Sequence, residues 1–143
     1  MRSRRAGWLG AVVLGWGTGL AAGQEPPPGG DAAPATPPPI AWAASVDAAR
    51  ADPRPLAVYY STTACPVAPL FEKETLESPQ VRAKAAAFRW ARISAETDRA
   101  RWAEWRLGWG PGIVVVGPAG EHIHRFDGYR TPDACVAELD EAA

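Results

Sequence analysis

Apolar residues fall into short blocks separated by polar residues, proline and glycine. Leu56-Ala57-Val58-Tyr59-Tyr60 is continuous and apolar, which predicts a central strand covered on both faces. Ile113-Val114-Val115-Val116 is a second compact block of the same kind. Phe88-Arg89-Trp90-Ala91-Arg92-Ile93 predicts a strand despite its two arginines, and Ile40-Ala41-Trp42 a short one. After the turn Pro118-Ala119-Gly120, the alternation Glu121-His122-Ile123-His124-Arg125-Phe126 predicts the second strand of a hairpin. Helices are expected between these blocks. Ser45 caps a brief one through Val46, Ala48 and Ala49, ended by Asp52-Pro53-Arg54-Pro55. A second runs from about Pro66 to Leu76, and a third opens with Ser78 as cap and Pro79 at the first helical position. A fourth spans Ala95 to Leu107, with Trp102, Trp105 and Leu107 on one side and Gly108 placed to end it. The last opens at Thr131-Pro132-Asp133 and continues through Val136 and Leu139. The order is βαβαβαββα. Parallel strands joined by helices, then a hairpin and a final helix, describe an α/β domain whose central sheet is covered on both faces.

The amino terminus has a different pattern. Met1-Arg2-Ser3-Arg4-Arg5 precedes an apolar run from Ala6 to Ala22, and Ala21 and Gly23 satisfy the small-residue rule for cleavage. A secretory signal over 1–23 is expected, with an uncleaved anchor as the alternative. Gln24 to Pro39 carries Pro26-Pro27-Pro28, Gly29-Gly30 and Pro37-Pro38-Pro39 with almost nothing bulky, so 24–39 is expected to be a tether and 40–143 the folded domain. The protein is therefore expected outside the cytoplasm, periplasmic or secreted, without stable membrane insertion after cleavage.

Composition narrows the chemistry. The 143 residues leave room for one ordinary domain, and the formal charge of −1 gives no reason to expect nucleic acid. The leader holds three of the 15 basic residues and no acids, so its removal leaves 12 against 16 acidic side chains, a net of −4. Only Cys65 and Cys135 are present, too few for a disulfide scaffold or a thiolate zinc site. Cysteine chemistry, if present, rests on one residue at a time.

Cys65 lies just past the first apolar block and at the start of a predicted helix. Around it, Leu56 to Tyr60 leading to Cys65, Phe71-Glu72-Lys73-Glu74-Thr75-Leu76-Glu77-Ser78-Pro79-Gln80-Val81, Gly110-Pro111 before Ile113 to Val116, and Gly128-Tyr129 together resemble the thioredoxin superfamily. The similarity is to extracytoplasmic thioredoxin-like domains akin to the C-terminal domain of transmembrane thiol:disulfide interchange reductases, and it covers roughly Trp42 to Leu139. It implies a three-layer fold with a central mixed sheet, helices on both faces, a terminal hairpin and a C-terminal helix. By the same resemblance Cys65 takes the place of the attacking cysteine and Pro111 that of the cis-proline beside which substrate backbone docks. Ala64, Pro66 and Gly110 join them as substrate-contacting positions. A thiol at a helix start would have its thiolate favoured by the helix dipole.

The departures from the family carry as much meaning. The run is Cys65-Pro66-Val67-Ala68, with alanine where the resolving cysteine belongs, so a mixed disulfide at Cys65 needs a second thiol from another molecule. Ala64 replaces the usual tryptophan, and Tyr59 stands where a buried acid is expected. Pro69 has no N–H to give the Cys65 carbonyl, so either the first helical turn is distorted or the helix begins near Pro69 with Cys65 in a loop. The expected activity is monothiol exchange with protein or low-molecular-weight thiol partners. A redox-inactive client-binding module is one alternative. Another is a thiol peroxidase, because Thr62-Thr63-Ala64-Cys65-Pro66 is similar to the peroxiredoxin pattern, although no arginine can be assigned to it. No cofactor and no resident metal are expected.

The other candidates have plainer readings. Cys135, in phase with Leu139, is expected to face the sheet as an inert buried thiol; the resemblance implies that it lies too far from Cys65 to bridge it, with a Cys65–Cys135 disulfide as the alternative. His122 and His124 alternate on one strand and so are expected to share a face, solvated more often than metal-bound. Trp90, Trp102, Trp105 and Trp109 suggest an aromatic surface near Pro111, with core packing as the commoner role. Glu72-Lys73-Glu74 and Arg99 to Arg101 are expected to be solvated helix faces.

Overall fold

A computed structural model describes residues 35–143, so the expected signal at 1–23 and most of the tether lie outside the described residues. Residues 35–41 carry no regular secondary structure. The elements that follow are α1 (Val46–Ala49), β1 (Leu56–Ser61), α2 (Ala68–Leu70) continuing into a π-helical stretch (Phe71–Leu76), α3 (Pro79–Ala85), β2 (Arg89–Ser94), α4 (Arg99–Glu104), β3 (Gly112–Val116), β4 (His122–Asp127) and α5 (Pro132–Glu141). The expected first strand contributes a single bridge, Trp42 beside Trp90. Among the described residues no helix is long and apolar enough to cross a membrane.

The sheet has the order β2-β1-β3-β4. β1 and β2 are parallel, while β3 runs antiparallel to both β1 and β4. Periodicity alone points to parallel strands linked by helices, and β3 departs from that. Segment 95–111 holds only the short α4 and loops, and it stays at the end of the sheet where β2 stops. β3 starts there, Gly112 opposite Tyr60. That is also the end from which β1 leads to Cys65, so 95–111 is folded over the cysteine.

Alternation along β1 and β3 divides the core into two layers. Ala57, Tyr59, Ile113 and Val115 face Phe71, Leu76, Val81 and Leu139 on one side. Leu56, Val58, Tyr60, Val114 and Val116 face Val46, Trp105 and Leu107 on the other. Helices thus cover both faces, as the apolar strands require.

The helix starts follow their caps. Ser45, Ser78 and Thr131 each accept a hydrogen bond from the backbone N–H three residues on. The fourth helix is much shorter than Ala95 to Leu107. Asp98 caps it, and it ends at Trp105 because Arg106 takes a left-handed φ of 49° and lets the Leu107 N–H reach the Trp102 carbonyl at 3.0 Å. Gly108, expected to stop this helix, lies beyond the stop. The freed Arg106 carbonyl accepts from the Arg125 guanidinium at 3.0 Å, which offsets part of the strain.

Candidate functional site

β1 delivers the chain into a tight turn in which the Cys65 N–H donates to the Thr62 carbonyl at 3.1 Å. The Cys65 carbonyl accepts from Ala68 at 3.3 Å, and the first regular helical bond runs from Phe71 to Val67 at 3.0 Å. Helix α2 therefore starts at Ala68, with Pro69 in its first turn, where a missing N–H costs least. Of the two arrangements open at Pro69, the structure has Cys65 in the turn ahead of the helix. The dipole argument for its thiolate does not hold: its N–H is already used, and only three α-helical residues precede the π-helical stretch. In that stretch the Glu77 N–H reaches back five residues to Glu72. Thr75, fully buried there, is satisfied by donating to the Arg130 carbonyl at 2.6 Å.

The Cys65 side chain is buried, 8% exposed, and its thiol donates to the Gly110 carbonyl oxygen at 2.7 Å. The Gly110–Pro111 peptide bond is cis. Gly110 is dictated by space, because a Cβ there would lie 2.6 Å from both the Ser61 Cα and the Tyr60 carbonyl. The Pro111 carbonyl in turn accepts from Gly128 at 2.7 Å, tying the segment to the end of β4. So residues 45 apart in sequence, Cys65 and Gly110, meet. Ala64 and Pro66 flank them on the exposed side, and Pro111 is buried.

Ala64 also borders a pocket of about 280 Å³ whose other walls are Thr62, Trp102, Leu107, Gly108 and Trp109. Trp109 is 78% exposed, and Val67 and Leu70 are exposed as well, so the Cys65 turn is set in apolar surface. The expected aromatic cluster is thereby divided. Trp90 and Trp105 are core residues, Trp102 is half-buried, and Trp109 alone stands in water. Leu107 and Gly108 were not legible as wall residues. Their signal was the Gly108-Trp109-Gly110 run, in which a large ring sits between two residues without side chains.

Polar contacts fix the surroundings. Thr63 donates through its N–H and hydroxyl to Glu96 at 3.1 and 3.0 Å, and the backbone bond above all holds the Glu96 carboxyl below the usual range. Tyr60 donates to Asp127, which Arg125 also holds at 2.9 Å. Burial opposes ionisation of Asp127, but the hydrogen bonds from Arg125 and Tyr60 outweigh it and lower its carboxyl. Tyr59, in the place of the family's buried acid, packs against Phe71 with 6.0 Å between ring centroids, and its hydroxyl has no hydrogen-bond partner. Burial pushes that phenol well above its ordinary range, so it offers no carboxylate-like proton acceptor.

The remaining candidates lie elsewhere. Cys135 is fully buried, and both cysteines are free. Burial pushes the Cys135 thiol up to about 12. His122 and His124 do not share a face: a β-bulge places Ile123 between the pairs Val115–His124 and Val116–His122. His122 packs edge-on against Trp105, whereas His124 bonds Glu138 of α5 at 2.7 Å. Glu138 is also held by Arg130 at 3.1 Å, so this cluster, which Glu141 approaches, is an ion-pair network. The charged helix faces are partly engaged. Glu72 pairs with Arg92 at 3.2 Å, and Arg101 links Asp47 to Asp98 at 3.0 Å each, while Lys73 and Arg99 are exposed.

A mixed sheet of order β2-β1-β3-β4, helices on both faces and a cysteine turn beside a cis-proline define the thioredoxin fold. Solved structures agree. The DsbH oxidoreductase superposes with a TM-score of 0.67 at 14% identity, covering 77% of this chain and 88% of that one. A thioredoxin from Thermus thermophilus gives 0.63 at 25% identity, over 71% and 85% of the two chains. The C-terminal domain of DsbD from Neisseria meningitidis, in its reduced form, gives 0.58 at 20% identity, over 68% and 89%. No protein-family model and no curated protein matches the sequence.

Proposed function

We propose that the protein is an extracytoplasmic member of the thioredoxin superfamily that performs thiol–disulfide exchange through Cys65 alone. The observation that carries this reading is the Cys65 thiol held against the Gly110 carbonyl, next to Pro111, with buried Ala68 where a second cysteine would stand. The Cys65 sulfur, as thiolate, attacks one sulfur of a partner disulfide. A new S–S bond joins Cys65 to the partner, and the other sulfur leaves with the electron pair and takes a proton. Release then requires a thiol from another molecule, protein or low-molecular-weight. Ala64, Pro66, Gly110 and Pro111 contact the partner backbone, and the leader directs the chain to the periplasm or to secretion.

The test is trapping, followed by mass spectrometry in a Cys135→Ala background: the full chain is mixed with a disulfide probe. A mixed disulfide at Cys65 that disappears in Cys65→Ser is expected. An unreactive Cys65 overturns the reading.

One observation favours a second reading, a client-binding module without redox chemistry. The Cys65 side chain is 8% exposed, and its S–H is already engaged by a carbonyl. On that reading client binding is unchanged in Cys65→Ser. The peroxidase alternative gains no support from the sulfur's hydrogen-bond partner, which is a carbonyl and not an arginine.

A further inference from the structure

Resting on the monothiol reading, we infer that the pocket beside Ala64 selects the partner: Cys65 exchanges with peptide or protein cysteines flanked by a bulky apolar side chain, in preference to charged small thiols. The pocket holds about 280 Å³, enough for a large side chain, and Thr62, Ala64, Trp102, Leu107, Gly108 and Trp109 line it without a charged group among them. An uncharged occupant fits that lining. Arg125, whose guanidinium would lie 3.8 Å from a Cβ on Gly108, is already paired with Asp127 at 2.9 Å, so a carboxylate placed there would lose water and gain no unpaired cation.

The walls are fixed before any partner arrives. Trp102 meets Tyr60 edge-on with 5.6 Å between ring centroids, and Tyr60 is anchored to Asp127. Leu107 is 7% exposed and tied to the Trp102 carbonyl. Such rigidity lowers the ordering cost of binding. Trp109 is the outer wall, a ring kept in water one residue before Gly110, whose carbonyl touches the Cys65 sulfur. Residue 64 is an exposed alanine, so its share of the pocket wall is a single methyl group. Ala64 is adjacent to Cys65, so residues next to a partner's cysteine are the first to reach the pocket.

The experiment uses the full chain and three probes, each with its cysteine carried as a mixed disulfide with thionitrobenzoate. They are a peptide with phenylalanine on both sides of the cysteine, the same peptide with serine, and glutathione. Cys65 thiolate attacks the probe's cysteine sulfur and forms the new S–S bond, and thionitrobenzoate leaves with the electron pair and is read by its absorbance. The phenylalanine peptide is expected to react about tenfold faster or more than the other two, the least that removing such a side chain from water should give. In Trp109→Ala and in Ala64→Trp, the phenylalanine-to-serine ratio measured within each protein is expected to fall toward one. That ratio cancels any change in the thiol itself. A ratio near one in the unaltered chain, or a ratio that neither variant changes, overturns the pocket's role and leaves monothiol exchange standing. No thionitrobenzoate release from any probe overturns monothiol exchange and the pocket's role together.

Discussion

The two cysteines of this chain are both free and both buried, yet their surroundings differ in kind. Cys135 sits on α5 inside the layer formed by Phe71, Leu139 and Phe126, and burial, with a smaller push from the Glu138 carboxylate, raises its thiol to about 12. Cys65 lies in a turn, with a carbonyl as partner, exposed apolar residues around it and a pocket at its shoulder. The difference teaches that burial by itself says little about a thiol. What separates the two is whether the neighbours are closed packing or a surface that a partner can cover.

The largest expected contrast is in labelling. At pH 8 a small alkylating reagent is expected to modify Cys65 in the native protein, while Cys135, with a thiol at about 12, lags by about three orders of magnitude or more. Comparable modification of both, read by peptide mass spectrometry, breaks the comparison. Next in size is packing. Phe71→Ala removes a fully buried ring from the Cys135 layer and is expected to cost about 3–5 kcal/mol in a denaturant titration, whereas Trp109→Ala at the Cys65 surface leaves stability nearly unchanged. Equal losses would mean that the surroundings of the two cysteines do not differ as described.

Gly110→Ala probes the Cys65 side directly. Its Cβ would meet backbone atoms of Tyr60 and Ser61 at 2.6 Å, so a loss of about 1–3 kcal/mol is expected, along with altered Cys65 alkylation. On the other side, Cys135 makes stability depend on pH. Its folded pKa is raised, so its contribution is complete below the unfolded value of about 8.5 and is lost as pH rises toward about 12. Between pH 8.5 and 9.5, below the free tyrosine value of about 10, about 1 kcal/mol should disappear in the parent. Cys135→Ala should flatten that decline, as denaturation at several pH values would show. The smallest effect is at the helix end: Arg106→Gly relieves the left-handed φ of 49° and should raise stability by about 0.5–1 kcal/mol, provided its carbonyl keeps Arg125.

The fold was largely legible because its signals are local. The apolar blocks at 56–60 and 113–116, the caps Ser45, Ser78 and Thr131, and proline at first helical positions each describe a few consecutive residues, and the structure places elements at all of them. Cys65 and Gly110, singled out through resemblance, are in contact, and Pro111 follows directly. The helix start at Ala68 is one of the two arrangements that Pro69 left open. The misses depend on neighbours distant in sequence: the left-handed Arg106, whose carbonyl meets Arg125, and the bulge that parts His122 from His124 each answer to contacts made across the fold.

By itself, then, the sequence determined most of the order of elements, the caps Ser45, Ser78 and Thr131, the apolar strands covered on both faces and the presence of alanine at position 68, since periodicity and residue identity are properties of neighbours along the chain. Tertiary structure alone decided the direction of β3, the contact between sulfur and carbonyl, and the pocket in which Thr62 and Ala64 face Trp102, Leu107 and Trp109. Those walls are some 40 residues apart. They meet because β3 runs antiparallel to β1 and starts opposite Tyr60, which brings segment 95–111 to the end of the sheet where Cys65 lies.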